Sequence, residues 1–222
     1  MPHSHSPRVA LNRRHFLRAS GLIAATVAGL PVAKIFADDK VTMPFAHGER
    51  ALVKYPQKRP LIRVTARPPQ LETPMTVFNE GVITPNDAFF VRYHLSDIPL
   101  SIDPDAFRLE IKGSVDAPQS FSLADLKKFE AVELIAVCQC SGNGRGFSNP
   151  RVGGGQLGNG AMGNAKWRGV RLKDLLAKAG IKATAKQVTF NGLDKPVVEK
   201  TPDFIKALDL DHANDGEVML AY

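Results

Sequence analysis

The organisation of this chain is set by the stretch Val132-Glu133-Leu134-Ile135-Ala136-Val137-Cys138-Gln139-Cys140-Ser141-Gly142-Asn143-Gly144-Arg145-Gly146-Phe147. Its first six residues are mostly apolar, which is typical of a buried strand. After Cys140 the stretch consists mainly of Gly, Asn, Ser and Arg, so a bulky group could approach the backbone closely. The stretch therefore predicts a buried strand over residues 132–140 that ends in a thiol beside a permissive loop.

Cys140 is a candidate metal ligand, because a thiolate is a soft ligand suited to a redox metal. The alternative is a buried, inert cysteine, which is the commoner role of a lone cysteine. Arg145, five residues on, and the export signal described below favour the ligand. Cys138 is the only other cysteine, and a bridge between the two would need unusual backbone geometry. We interpret both as free thiols, of which only Cys140 is functional.

Glycine is concentrated just beyond Cys140. Nine of the 24 residues from 141 to 164 are glycine, which is half of the chain's 18. This segment is therefore expected to be a long loop, and long loops in compact domains are usually functional. The run Gly142-x-Gly144-x-Gly146 does not match the dinucleotide-binding pattern. It could instead line the binding site of a large polar cofactor.

The N-terminal 37 residues have the composition of a signal peptide. Arg13-Arg14 precedes a weakly apolar stretch that ends at the small residue Ala37. The paired arginines indicate the twin-arginine class, so we expect the twin-arginine export machinery as a partner and the periplasm as the location. The stretch from Ala19 to Ala33 is too short and too interrupted for a membrane span. Because this route carries folded proteins, the signal also suggests a cofactor.

The signal peptide accounts for most of the positive charge. The whole chain carries +7, but residues 1–37 hold five basic residues and no acidic one. The remaining 185 residues have 24 Lys+Arg and 22 Asp+Glu, a balance of +2. The composition therefore gives no reason to expect a nucleic-acid partner. The length after the signal is sufficient for one domain with a substantial core.

Local patterns predict an α+β domain over residues 76–222, preceded by a Pro-rich, irregular arm over residues 38–75. Strands are expected from the composition of residues 89–95, 107–112, 132–140, 188–190 and 217–222. Ser122 and Asp125 resemble a capping box that opens a short helix through Phe129. A second helix is expected from Arg171 to Ala179, with Gly180 as its stop. Residues 204–208 are expected to be helical.

Three motifs appear in the order and spacing of the sulfite oxidase family of molybdopterin enzymes. They are Phe90-Val91-Arg92-Tyr93-His94, Cys140-Ser141-Gly142-Asn143-Gly144-Arg145 and Asn191-Gly192-Leu193-Asp194. The chain resembles this family over about residues 76–222, and the twin-arginine signal makes it most similar to periplasmic bacterial sulfite dehydrogenases. Two positions depart from the family pattern, which has Asn where Tyr93 stands and Arg where Gly144 stands.

The resemblance implies a molybdenum cofactor, Mo-molybdopterin, with Cys140 as the thiolate ligand of the metal. Arg92 and Arg145 would serve the substrate oxyanion. The resemblance also implies contacts with the pterin from Phe90, Val91, Arg92, Tyr93, His94 and Asp194. Taken alone, Arg92 could instead form a surface ion pair, His94 could be a structural histidine and Asp194 an ordinary turn residue. Trp167 is expected to be a packing residue.

The implied activity is oxidation of sulfite, or a similar small oxyanion, with electrons passed to a c-type cytochrome. Two other functions stay open. One is a periplasmic molybdopterin reductase of the methionine sulfoxide type, and the other is a non-catalytic, truncated exported domain. The resemblance also implies that the chain is C-terminally incomplete, and that the full-length protein forms a homodimer.

Overall fold

The computed structural model describes residues 39–43, 48–99 and 101–222. The signal peptide expected over residues 1–37 lies outside these residues. Residues Lys40–Tyr222 form one compact unit. The strands of the described part are β1 Lys40–Thr42, β2 Glu49–Val53, β3 Leu61–Thr65, β4 Gln70–Glu72, β5 Val91–Arg92, β6 Leu109–Ile111, β7 Gln119–Phe121, β8 Ala131–Gln139, β9 Met162–Arg171, β10 Gln187–Phe190, β11 Lys206–Asp209 and β12 Met219–Ala221. The α-helices are α1 Leu123–Leu126, α2 Leu172–Ala179 and α3 Leu210–Ala213. None of the described helices is long and apolar enough to span a membrane.

The first sheet contains β1 to β5 in chain order, with antiparallel neighbours. The expectation of an irregular arm over residues 38–75 is therefore wrong, since four strands lie in this segment. The prolines of this segment that the structure describes occupy turns and strand ends rather than strand interiors: Pro60 directly precedes β3, and Pro68 and Pro69 lie in the turn between β3 and β4. Proline is tolerated there because no ladder hydrogen bond is lost.

The second sheet has the order β12-β9-β8, and the register of β8 with β9 is continuous over nine residue pairs. The predicted strand at residues 132–140 is confirmed, but its predicted burial is wrong. Ile135 and Val137 are each 62% exposed, and only Val132 and Ala136 are half-buried within β8. Within the described chain β8 is an edge strand with β9 as its single neighbour. The face that carries Ile135 and Val137 is open to solvent.

Helix α2 packs the core against the second sheet. The predicted face is confirmed: Leu172, Leu175 and Leu176 are buried. Leu175 lies in one apolar cluster with Val170 of β9, while Leu172 and Leu176 lie in a second cluster. The helix ends at Gly180, whose φ of 69° lies in the left-handed region that glycine adopts without steric cost.

The other local predictions have mixed outcomes. The capping box is confirmed, since the Ser122 side chain accepts a hydrogen bond from Asp125 N and the Asp125 side chain accepts one from Ser122 N. The expected helix at residues 204–208 is wrong, because Lys206–Asp209 pairs as β11 with β10. The strand expected at residues 89–95 is reduced to the two residues of β5. The mixed sheets and short helices confirm the α+β class.

Candidate functional site

Cys140 follows β8 directly and begins the connection to β9. Its N–H donates to Ala161 O at 2.9 Å, and its carbonyl accepts from Asn143 N at 2.9 Å. The N–H of Gly142 points at Cys140 Sγ at 3.4 Å. A backbone donor is therefore directed at the sulfur. The backbone thus holds the Cys140 thiol in a tight turn at the end of the strand.

The two cysteines lie in different surroundings, and both are free as predicted. Cys140 is half-buried, whereas the Cys138 residue is exposed. Partial desolvation of the Cys138 thiol raises its pKa, and the neighbouring charge of Cys140 raises this pKa further. The Cys138 thiol is therefore harder to deprotonate than a fully solvated cysteine.

In the loop from 140 to 161, two segments of main chain lie side by side and are joined by backbone hydrogen bonds. Gly144 N donates to Gly158 O at 2.6 Å, and Gly146 N donates to Leu157 O at 2.8 Å. The side chain of Asn143 also connects these two segments, since its Oδ1 accepts a hydrogen bond from Ala161 N at 3.0 Å. Because these contacts use mainly backbone groups, the segment has a defined shape despite its high glycine content.

Arg145 folds back over this turn. A Cβ at Gly142 would lie 2.8 Å from Arg145 Nη2, and a Cβ at Gly154 would lie 2.8 Å from Nη1. Within the described chain the guanidinium makes a single hydrogen bond, from Nη1 to Gly155 O at 3.5 Å, which is near the outer limit for such a bond. A cation is thus packed on the residue whose N–H meets Cys140 Sγ, and its donors could bind an anion.

Arg92 lies on β5 opposite Gln70 of β4. Its Nε and Nη1 atoms are buried, and neither has a hydrogen-bond partner among the described residues. Buried donors are nearly always paired, and leaving one unpaired costs about 1–3 kcal/mol. These two donors therefore indicate a site at which a bound acceptor group would remove this energetic cost. The surface ion pair considered for Arg92 is not found among the described residues.

The neighbours of Arg92 form polar and aromatic contacts. Tyr93 OH accepts a hydrogen bond from Tyr55 OH at 3.3 Å, and burial together with this contact raises the pKa of Tyr55 to about 12. Phe90 stacks on Phe89 with ring centroids 5.2 Å apart. Val91 is half-buried beside them and pairs with β4.

His94 and Asp194 lie close to a separate junction. The His94 ring stacks on Phe204 at 4.1 Å, and a backbone bridge between Asp97 and Lys195 brings the segment after His94 to the segment of Asp194. No hydrogen bond or ion pair between described residues joins this junction to Cys140. The structure thus brings Arg145 onto the turn that follows Cys140, whereas His94 and Asp194 lie in two segments that meet at the Asp97–Lys195 bridge.

Three residues of this region escaped the sequence analysis. Gln70, Glu72 and Thr73 are buried polar residues at β4, at 7%, 1% and 0% exposure. Gln70 Oε1 packs against Gly155, where a Cβ would approach it to 1.9 Å. Nothing in the local sequence distinguishes these residues, because polar residues in a short segment between two prolines, Pro69 and Pro74, are typical of the surface.

Trp167 is a packing residue, as expected. Its indole N–H donates to Ala136 O at 2.9 Å, and its ring makes an edge contact with Phe89 at 5.9 Å. Phe89 in turn covers Gly163. This contact ties β8 and β9 to the segment that leads into β5.

Residues 94–222, more than half of the chain, match the family described as oxidoreductase molybdopterin binding domain. The chain belongs to this family. The matched range includes His94, Cys140, Arg145 and Asp194, whereas Phe90 to Tyr93 precede it.

Individual relatives agree with the family. The chain is 38% identical to mitochondrial sulfite oxidase of Rattus norvegicus over 175 residues, covering 75% of this chain and 31% of the relative. It is 34% identical to the human mitochondrial enzyme over 204 residues, covering 88% and 36%. Among solved structures, the sulfane dehydrogenase SoxCD from Paracoccus pantotrophus superposes with a TM-score of 0.53 at 26% identity, covering 90% of this chain and 45% of that chain. The chain thus spans between about a third and a half of the length of these relatives. The sulfite oxidase resemblance is confirmed.

The residues present fit the molybdopterin cofactor of this family. Cys140 offers a soft ligand, and the buried donors of Arg92, which have no partner in the described part of the chain, suit the anionic groups of a pyranopterin phosphate. Gly153 leaves the backbone open to close approach, since nothing lies within 4 Å of a Cβ built there. The molybdopterin-binding oxidoreductase assignment therefore agrees with the chemistry of this chain's own side chains.

Proposed function

We propose that the full-length protein is a molybdenum enzyme that oxidises sulfite to sulfate and passes the electrons to a c-type cytochrome. The observation that carries this proposal is the guanidinium of Arg145, which packs against Gly142, the residue whose N–H points at Cys140 Sγ. A small dianion approaching a metal with negatively charged sulfur ligands needs such a cation to offset repulsion. The identity with sulfite oxidases supports the choice of sulfite.

Each residue has a defined task in this proposal. Cys140 would hold the metal, with Phe90, Val91, Arg92, Tyr93, His94 and Asp194 as candidate contacts to the pterin. When bound, the cofactor supplies two-electron oxygen-atom chemistry. Arg145 binds and orients the oxyanion, because a guanidinium is protonated at every physiological pH. The overall reaction converts sulfite and water into sulfate, two protons and two electrons, and the electrons leave to the cytochrome.

The two cysteines provide the first test. Cys140→Ser should abolish sulfite-dependent reduction of cytochrome c by the full-length protein and should lower its molybdenum content, because a neutral hydroxyl replaces a soft anionic ligand. Cys138→Ser is the matched control two residues away, and it should keep most of the activity. Activity lost with Cys138 and kept without Cys140 would refute the ligand assignment.

Arg145 is tested against a second arginine of the same loop. Arg145→Gln should raise the KM for sulfite by roughly 10- to 150-fold, the equivalent of about 1.5–3 kcal/mol for a charge-assisted hydrogen bond. Molybdenum content should stay close to that of the wild type. Arg151 is exposed, so Arg151→Gln should leave KM unchanged. Equal KM values for the two variants would remove Arg145 from the substrate site.

Periplasmic location by the twin-arginine route completes the proposal. Replacing Arg13-Arg14 by Lys-Lys should retain the protein in the cytoplasm with its cofactor, because the pair is read by the export receptor. Cell fractionation with molybdenum quantified in each fraction measures this outcome. Normal delivery of the Lys-Lys variant to the periplasm would argue against the route and against cofactor insertion before transport.

A further inference from the structure

The loop of residues 140–161, here called the glycine loop, is bound at one point, Gly160, by residues at the end of β4; this contact is called the grip. Glu72 Oε1 accepts a hydrogen bond from Gly160 N at 3.2 Å, and Thr73 N donates to Gly160 O at 2.9 Å. Both backbone groups of Gly160 are thus bound by two consecutive residues. Glu72 and Thr73 are 1% and 0% exposed, so water does not compete for these contacts.

The grip is also sterically tight. A Cβ at Gly160 would lie 2.3 Å from Thr73 O and 2.8 Å from Glu72 Cβ, so no other residue type fits without displacing the loop from β4. The carboxyl of Glu72 also faces Gly158, where a Cβ would lie 3.5 Å from Oε1. The contact is therefore a close main-chain approach secured by one buried side chain.

Two further contacts connect this grip to the candidate site. On one side, Ala161 follows Gly160, and its carbonyl accepts the N–H of Cys140 at 2.9 Å. On the other side, Gln70 lies two residues before Glu72 on the same face of β4 and pairs with Arg92. Glu72 is therefore linked by short contacts both to the loop that holds Cys140 and to the strand pair that holds Arg92.

We infer that Glu72 is a positioning residue, which fixes Gly160 and thereby sets the placement of Cys140 relative to Arg92. The relevance to catalysis rests on the proposed function, in which Cys140 and Arg92 serve the cofactor. The side-chain requirement is an acceptor oxygen at this site. A glutamine supplies one, whereas an alanine does not.

Amide hydrogen exchange on the cofactor-free full-length protein tests the grip itself. Glu72→Ala should speed exchange of the amides of residues 157–161 and of Cys140 by about tenfold or more, since a buried hydrogen bond to a charged group is lost. Glu72→Gln should exchange close to wild type. Thr84→Ala is the matched control: Thr84 is also buried and its Oγ1 accepts from Asn164 N at 3.2 Å, but that contact lies beyond the loop. It should speed exchange near Asn164 alone.

The placement of Cys140 has its own readout in the same protein. Alkylation of Cys140, followed by mass spectrometry with Cys138 as internal reference, should change in rate by several fold in Glu72→Ala and stay unchanged in Thr84→Ala. Unchanged exchange and labelling in Glu72→Ala would overturn the inference. If Glu72→Ala does not fold, Gly160→Ala breaks the same contact from the loop side, and the same two readouts decide.

Cofactor content separates this inference from the proposed function. In cells that make the pterin, folded Glu72→Ala should retain several-fold less molybdenum per chain than Glu72→Gln or Thr84→Ala. A wild-type protein without molybdenum would refute the proposed function, while exchange and labelling would still decide the role of Glu72. Faster exchange with full molybdenum content would reduce Glu72 to a structural residue and overturn the positioning role.

Discussion

Substitution of Arg92 by methionine should change the stability of the protein in opposite directions with and without the cofactor. Nε and Nη1 of Arg92 are buried without partners among the described residues. Each unpaired buried donor costs about 1–3 kcal/mol, so the two together cost on the order of 2–6 kcal/mol in the cofactor-free protein. Methionine keeps an unbranched side chain and carries no donor. Cofactor-free Arg92→Met should therefore be more stable than wild type by at least about 1 kcal/mol.

Cofactor binding should show the opposite sign. A hydrogen bond to a charged group contributes about 1.5–3 kcal/mol. Two such bonds lost from Arg92 correspond to a decrease in cofactor affinity of at least about 100-fold. The cofactor-bound variant should thus unfold more easily than the cofactor-bound wild type, because binding stabilises the native state in proportion to affinity.

The assay combines denaturant unfolding of both forms with quantification of pterin and molybdenum. Arg63→Met is the control, since Arg63 is exposed on β3 of the same sheet, and it should alter neither quantity. The reasoning is refuted if cofactor-free Arg92→Met is less stable than wild type while its pterin content stays normal. That result would mean that the guanidinium stabilises the fold and has no ligand.

Three further predictions concern burial, charge and capping. Ile135→Lys should change the free energy of unfolding by no more than about 0.5 kcal/mol, because the side chain of Ile135 is exposed. Leu175→Ala, in the core, should cost about 2–5 kcal/mol. Equal losses of stability in urea unfolding would mean that the Ile135 face of β8 is covered. Desolvation raises the pKa of Glu72 from its ordinary value of 4.5, so the native state binds more protons than the unfolded state above that pH. The stability of the wild type should therefore fall relative to that of Glu72→Gln as pH rises from 4.5. Parallel curves of unfolding free energy against pH would contradict this. Ser122→Ala should cost about 1 kcal/mol by loss of the cap, and Ser120→Ala, at an exposed strand position, should cost much less when the two melting curves are compared.

Features set by neighbouring residues were predictable from the sequence. The capping box of Ser122 and the stop at Gly180 depend on contacts within a few residues, and both are present. The helix expected over residues 204–208 failed because pairing with β10 overrides a pattern of only five residues. The predicted burial of β8 was wrong for a similar reason. An apolar run predicts a strand, but which segments cover that strand depends on distant parts of the chain.

The candidate site divides in the same way. Cys140 and Arg145 could be singled out because a thiol, an arginine and a glycine cluster lie within a short stretch. Their task came from the resemblance in motif spacing, since neither residue carries that information by itself. Glu72 could not be found, because its importance arises only when β4 meets Gly160, and a glutamate in a polar segment normally suggests a solvated surface.

The contact between Glu72 and Gly160 spans 88 positions of the chain, and this separation constrains the order of events during biogenesis. The segment of β4 leaves the ribosome long before the glycine loop is made, so it must wait for most of the domain to be synthesised. Closing so long a loop carries an entropic cost that the local sequence around Cys140 cannot offset alone. A synthetic peptide of residues 138–164 would contain the thiol and all nine glycines and would still lack the shape of the loop. We therefore expect the cofactor to be inserted only after β9 has been synthesised and the domain has folded.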